Sequence, residues 1–260
     1  MTANSAPRMG DVYLKLNGVN DFVEIPSSTD YSIATTGELS VAAWIRPDTL
    51  NFPTWERTGY VHWLGKGEGT GDAGQQEWVF RMYNRDHTTE HPPRPNRISF
   101  YTFNSVGGEG VGSYFQDTLN TGEWIFVVGV ADATRTYMYR DGQYRRCDTY
   151  RGPPDNCPIH HQPPPNEGLQ LEINPAAGAS PLRLGTRDRN SFFEGGLSRV
   201  RIWSRVLEAD EVSALYLSDA VPSAGLVAEF LLNADTGTTA ADSARGNDGT
   251  ISGAVWDVQQ

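Results

Sequence analysis

Residues 124–146, WIFVVGVADATRTYMYRDGQYRR, decide the fold class. The first seven are β-branched or aromatic except for Gly129, a composition that suits a packed, pleated strand better than a helix. Residues 136–139 and 143–146 then flank Arg140-Asp141-Gly142. Asp-Gly between two short strand-like runs is a hairpin signal, because both residues accept positive φ. A strand running into a tight hairpin builds an antiparallel sheet.

The same pattern extends outward in both directions. Upstream, 13–16 and 22–25 flank the turn Asn17-Gly18-Val19-Asn20, and 39–45 stops at Pro47. Residues 60–64 precede a glycine-rich stretch, 65–74, and 77–83 and 97–104 alternate or run apolar. Downstream, 169–173, 182–184, 197–203, 226–232 and 250–256 read as strands, and 209–217 as one helix with Val212, Leu215 and Tyr216 at helical spacing. Segments 84–96 and 151–166, rich in proline and histidine, read as long surface loops. More than a dozen short strands with one helix imply an all-β, antiparallel two-sheet jelly-roll sandwich. A length of 260 residues suits a single domain, 1–260. Residues 1–10 are expected to be flexible. Residues 226–260, too few to bury a core of their own, are expected to complete the same sandwich.

Hydrophobic residues make up 38% and charged residues 20% of the chain, enough apolar material for a substantial core. The net charge of −11 disfavours nucleic acid and anionic lipid as partners and permits a hard cation. No stretch approaches the roughly 20 apolar residues of a membrane span. The first seven residues, MTANSAP, lack the apolar core of a signal peptide, so the protein is cytoplasmic or a leader has been removed. Cys147 and Cys157 flank a proline-rich run. They could close a small disulfide, which would place the protein in an oxidising compartment, or remain two thiols.

The motifs taken together resemble a known family. LKLNGVNDFVEIP (14–26), LSVAAWIRP (39–47), Leu64-Gly65-Lys66-Gly67, GEWIFVVGV (122–130) and Tyr139-Arg-Asp-Gly142 occur in the order and spacing of laminin-G-like, concanavalin A-like jelly rolls. GGLSRVRIWSRVL (195–207), Asp210-Glu211-Val212, DSARGNDG (242–249) and Gly253-Ala-Val-Trp256 continue the likeness over nearly the whole chain. Ser198-Arg199 stands where the family often has two acidic residues. The resemblance implies carbohydrate binding and structural calcium; an extracellular or cell-surface location is the expectation, with the cytoplasm as the alternative. For calcium, Asn17, Asn20 and Asp21 offer oxygens in one turn and Asp242, Asn247 and Asp248 in another, so both turns could share one ion. The alternative is that these side chains serve their own turns through local backbone bonds.

For carbohydrate, the segments 77–83 and 97–104 combine aromatic rings with planar polar groups. If Trp78, Phe80 and Met82 face one way, Glu77, Arg81 and Tyr83 face the other. The binding residues expected are Trp55, Arg81, Tyr83, Tyr101 and Gln116, with Trp63 and Tyr114 in or beside adjoining loops. Trp44, Trp124, Trp203 and Trp256 are assigned to packing. His87, His91, His160 and His161 could meet, with Glu90, only if the two long loops converge. The Glu-x-Asp-x-x-Glu pattern of related glucanases is missing, and no residues select a catalytic role. The leading expectation is a binding module for an oligo- or polysaccharide. The alternatives are a glycan hydrolase or lyase on the same scaffold, or a protein-interaction domain.

Overall fold

The computed structural model describes residues 4–68, 75–87, 94–103, 110–132, 135–149 and 175–260. In chain order the strands begin β1 (Val12–Asn17), β2 (Phe22–Ile25), β3 (Leu39–Pro47), β4 (Tyr60–Lys66), β5 (Trp78–Tyr83), β6 (Ile98–Phe103), β7 (Gly110–Phe115) and β8 (Ile125–Ala131). They continue β9 (Arg135–Arg140), β10 (Gln143–Thr149), β11 (Leu182–Leu184), β12 (Glu194–Trp203), β13 (Leu226–Phe230), β14 (Thr239–Ala240), β15 (Gly249–Ser252) and β16 (Val255–Val258). The helices are a single turn, α1 (Ile33–Thr36), and α2 (Ala209–Ser218). The first sheet has the order β10-β9-β8-β3-β12-β1-β16, with β13 also paired to β12; the second runs β14-β15-β2-β11-β4-β5-β6-β7. Every pairing is antiparallel, the arrangement of a jelly-roll sandwich.

Local chemistry accounts for these elements. Asp141 (φ 52°) and Gly142 (φ 72°) form a two-residue turn with both residues left-handed, the type I′ geometry that matches strand twist, and β9 and β10 pair on either side. Glu208 and Glu211 form a reciprocal capping box at the start of α2, satisfying two otherwise unpaired backbone donors. Val212 and Leu215 of α2 pack on Trp44, Phe126, Val128 and Trp203, which lie on the outer face of the first sheet. That sheet is therefore covered twice, by α2 outside and by the second sheet inside. Double coverage explains why β3 and β8 read as near-continuous apolar runs.

The main core lies between the sheets and includes Leu14, Val41 and Val127 from one and Trp63, Phe80 and Phe100 from the other. Trp63 is thus a core residue and not a loop neighbour of the site. Gly129 faces this core; a Cβ there would sit 2.5 Å from the Phe80 ring and 2.6 Å from the Phe100 ring. Gly129→Ala is expected to overpack the site and destabilise the fold by about 1–3 kcal/mol, read as a lower urea midpoint at unchanged slope. An unchanged midpoint would mean that the two rings yield freely.

The chain closes one edge of the sandwich by switching sheets twice. β1 and β16 pair in the first sheet, while β2 and β15 pair in the second. Residues 250–256, expected as one strand, are therefore two. Gly253 (φ 77°) makes the crossing, where a Cβ would collide with the Asp21 carboxylate. Ser5 donates its backbone N–H to the Tyr216 carbonyl of α2 (2.8 Å). β7 was not expected from the sequence; 169–173 and 151–166 lie outside the described residues. Cys147 lies on β10, and Cys157, its expected partner, also falls outside them. Among the described residues no helix is long and apolar enough to cross a membrane.

Candidate functional site

Period-two alternation sends Trp78, Phe80 and Met82 of β5 into the core and leaves Val79, Arg81 and Tyr83 on the outer face of the second sheet. The same rule places Ser99 and Tyr101 of β6, Tyr114 of β7, and Tyr60 and His62 of β4 on that face. Register then aligns His62, Arg81, Ser99 and Tyr114 in one row across four strands. In the next row Val79 opposes Tyr101 and Tyr101 opposes Gly112. A Cβ at Gly112 would lie 2.5 Å from the Tyr101 ring, so the missing side chain is what lets that ring lean over β7.

Arg81 is the centre of this surface. Its guanidinium lies 4.3 Å from the Tyr60 ring centroid and 4.7 Å from that of Tyr101, a cation stacked against two aromatic faces. Its Nε donates to Ser99 Oγ at 3.4 Å, and Glu56 stands 3.9 Å from Nη1. A second stacked arginine lies beside it. The Arg97 guanidinium is 3.8 Å from the Tyr114 ring and donates to Gln116 Oε1 at 3.0 and 3.3 Å.

Behind Arg81 sits a buried polar cluster. His62, 1% exposed, places Nε2 3.2 Å from Glu56 Oε2 and Nδ1 3.4 Å from Asp188 Oδ1. Burial alone would raise the Glu56 carboxyl, but the hydrogen bond and charge of His62, then Arg81 and Thr58, outweigh it and hold the group at about 2. Asp188 is buried too, yet His62 and Arg187 hold it well below the usual carboxylate range. Arg187 spans Gln76 (2.7 Å) and Asp188 (2.8 Å), and burial lowers its pKa. Its stem crosses Gly65, where a Cβ would meet Arg187 Cγ at 3.1 Å.

The structure separates the expected binding residues. Arg81 and Tyr101 meet directly. Gln116 joins Arg97 and Tyr114 at a neighbouring station. Trp55, 46% exposed, adjoins Glu56 in the chain. Tyr83 is 1% exposed, covered by Tyr60 and His87, and offers no face to a ligand. Glu77 turns away to Lys66 and Ser32. Glu56, Asp188 and Arg187 were not foreseen. The signal that could have found them is Arg183, Arg187 and Asp188 crowded beside the strand residues Leu182 and Leu184, charges that need partners wherever that strand is covered. His91, His160, His161 and Glu90 lie outside the described residues.

The two turns expected to share calcium are not brought together. Asp21 adjoins Phe22, which pairs with Ser252, whereas Asp248 precedes Gly249 at the other end of β15. A four-residue strand separates them by about 10 Å. Their oxygens are also engaged. Asp242 accepts backbone N–H groups from Glu229, Ala244, Arg245 and Asn247, and Asp248 accepts from Asp242. Asn17 Oδ1 accepts from Val19, Asn20 and Asp21, and Asp21 accepts from Asn17. A calcium ion needs six to eight oxygens, and this donor set does not fit a shared one. Among the described residues no group of three or more His, Cys, Asp or Glu could hold a metal.

Comparison with known proteins agrees with the architecture. The chain aligns with a candidate carbohydrate-binding protein from Bacteroides ovatus at a TM-score of 0.62 and 16% identity, covering 98% of this chain and 62% of that one. It therefore spans under two thirds of that protein's length. A heptameric pentraxin from Limulus polyphemus aligns at a TM-score of 0.54 and 14% identity, with 98% of both chains covered. Identities this low speak to fold alone. No curated protein matches the sequence. Residues 17–160, more than half of the chain, match the laminin-G family described as the concanavalin A-like lectin/glucanases superfamily, and the chain belongs to that family.

Proposed function

We propose that the protein is a carbohydrate-binding module whose ligand lies on the outer face of the second sheet, over β5, β6 and β7. The observation that carries this reading is the Arg81 guanidinium held over the rings of Tyr60 and Tyr101, 4.3 and 4.7 Å from their centroids. Sugars offer C–H patches to aromatic faces and hydroxyls to planar donors, and a rigid surface spends little entropy on ordering. Tyr101 and Tyr114 supply half-buried rings, Arg81 and Gln116 the planar polar groups, and exposed Trp55 a ring near the margin. The shared fold with the Bacteroides ovatus protein is consistent with such a role. An extracellular or cell-surface location suits it.

The Glu56 and Asp188 carboxyls do not suit the acid of a glycosidase. A glycosidase needs one carboxyl with its pKa raised so that it can donate a proton. Glu56 and Asp188 are both pushed down, so this pair holds no proton to give near neutral pH.

A glycan array followed by calorimetry tests the proposal. The protein should retain at least one glycan without releasing reducing ends or unsaturated products. Tyr101→Ala should weaken that binding by about tenfold, the worth of one aromatic contact with its buried area. Gly112→Ala, which displaces the Tyr101 ring without touching its chemistry, should weaken it in the same direction. Product release, or full affinity in both variants, would sink the assignment.

A further inference from the structure

We infer that the glycan this face prefers is anionic, with Arg81 forking a carboxylate or sulfate and Arg97 contacting a second such group. The inference rests on the carbohydrate reading above and adds the charge of the ligand.

Three observations support it. First, the donors of Arg81 are under-used. Among the described residues its hydrogen bonding is limited to the long contact with Ser99, and Glu56 at 3.9 Å is beyond hydrogen-bond reach. The side chain is only 19% exposed, yet its Nη atoms are not enclosed without partners, so they reach solvent. A guanidinium fixed by two rings with an open fork is built for a planar two-oxygen acceptor.

Second, the nearby carboxylates are committed inward. Glu56 takes His62 on Oε2 and the Thr58 hydroxyl on Oε1. Asp188 takes Arg187 on Oδ2 and the Asn190 N–H and His62 on Oδ1. They brace the site: Glu56 offsets part of the Arg81 charge from 3.9 Å but takes none of its hydrogen bonds.

Third, the charge of this region runs against that of the chain. Among the described residues of this cluster, three guanidiniums, on Arg81, Arg97 and Arg187, stand against two carboxylates, on Glu56 and Asp188, while the whole chain carries −11. Arg97 spends its hydrogen bonds on neutral Gln116. Its platform, Tyr114, lies two strands from Arg81, about 10 Å across the sheet, with only the small Ser99 between. That spacing suits a polymer bearing repeated acidic groups.

The experiment uses matched pairs of probes on the full chain: polygalacturonate against its carboxyl-reduced form, and dextran sulfate against dextran. Affinities are measured for the unaltered protein, Arg81→Gln, Arg81→Lys and Arg245→Gln, the last removing an equal charge at a remote, exposed ion pair with Asp30. The charged member of at least one pair should bind tenfold or more tighter than its neutral partner, an advantage that shrinks as salt is raised. Which pair shows it tells carboxylate from sulfate. Arg81→Gln should erase that preference, Arg81→Lys should retain part of it by keeping the charge without the fork, and Arg245→Gln should leave it unchanged. Equal binding of the neutral partner overturns the charge assignment and leaves the carbohydrate reading standing. An equal loss in Arg245→Gln overturns it as well, since general electrostatics would then suffice. If the folded protein binds none of the four probes and no neutral glycan, both readings fall.

Discussion

Lys66→Met is expected to destabilise the protein by about 3–5 kcal/mol, the cost of stranding a charge in the interior. Lys66 and Glu77 are both fully buried, with Nζ 2.6 Å from Oε1. Nζ also donates to the carbonyls of Gly178 (2.9 Å) and Ser180 (3.1 Å), which uses all three ammonium protons. Glu77 Oε2 accepts the Ser32 hydroxyl at 2.6 Å. One ion pair thus joins β4, the start of β5, the segment leading into β11 and the turn before α1. Removing the lysine leaves Glu77 with only Ser32 and a long contact from Gly178 N–H to answer a full charge. Urea unfolding would report the loss as a lower midpoint. The double variant Lys66→Met, Glu77→Leu should recover most of it, because replacing both charges by apolar groups is often neutral. A loss under about 1 kcal/mol in the single variant would show that water or a rearranged neighbour reaches the site.

Acidification should weaken the fold through the cluster around His62. Glu56 falls from an ordinary 4.5 to about 2 in the folded state, which corresponds to about 3 kcal/mol of stabilisation. The sign follows from the direction. A carboxyl depressed by folding contributes fully above its unfolded pKa, near 4.5, and loses that contribution as the pH falls through about 2. Asp188 is shifted in the same direction and adds to the effect. His62→Gln removes the partner that both carboxylates share, so its stability should fall less steeply between pH 4.5 and 2 than that of the unaltered protein. Denaturation midpoints at pH 7, 4.5, 3 and 2 give the comparison. Every other carboxyl group is common to the two proteins, so parallel curves would mean that His62 does not set these pKa values.

Much of the fold could be read from the chain because its causes are local. Asp141-Gly142 turns wherever it stands between strands, and the apolar runs of β3 and β8 match a sheet covered on both faces. β7 escaped notice for the opposite reason. Gly110 and Gly112 look like loop residues, but a Cβ at Gly110 would lie 1.9 Å from the Thr102 carbonyl oxygen. The demand for glycine comes from β6, which alternation within β7 cannot reveal. The site divides in the same way. Alternation correctly put Arg81, Tyr83 and Tyr101 on the outer face, but it cannot tell that Tyr83 is roofed by Tyr60 and His87 while Tyr101 stays half open.

By itself, then, the sequence determined most of the residues that extend, the Asp141-Gly142 hairpin and which side β5 and β6 turn to the core, since backbone geometry and side-chain period act over a few residues. Tertiary structure alone decided that Glu56, His62 and Asp188 meet, that 250–256 splits between two sheets and that the two acidic turns stay apart. Those outcomes depend on strand register and sheet order, which bring together groups far apart in the chain, and no local pattern records such distances.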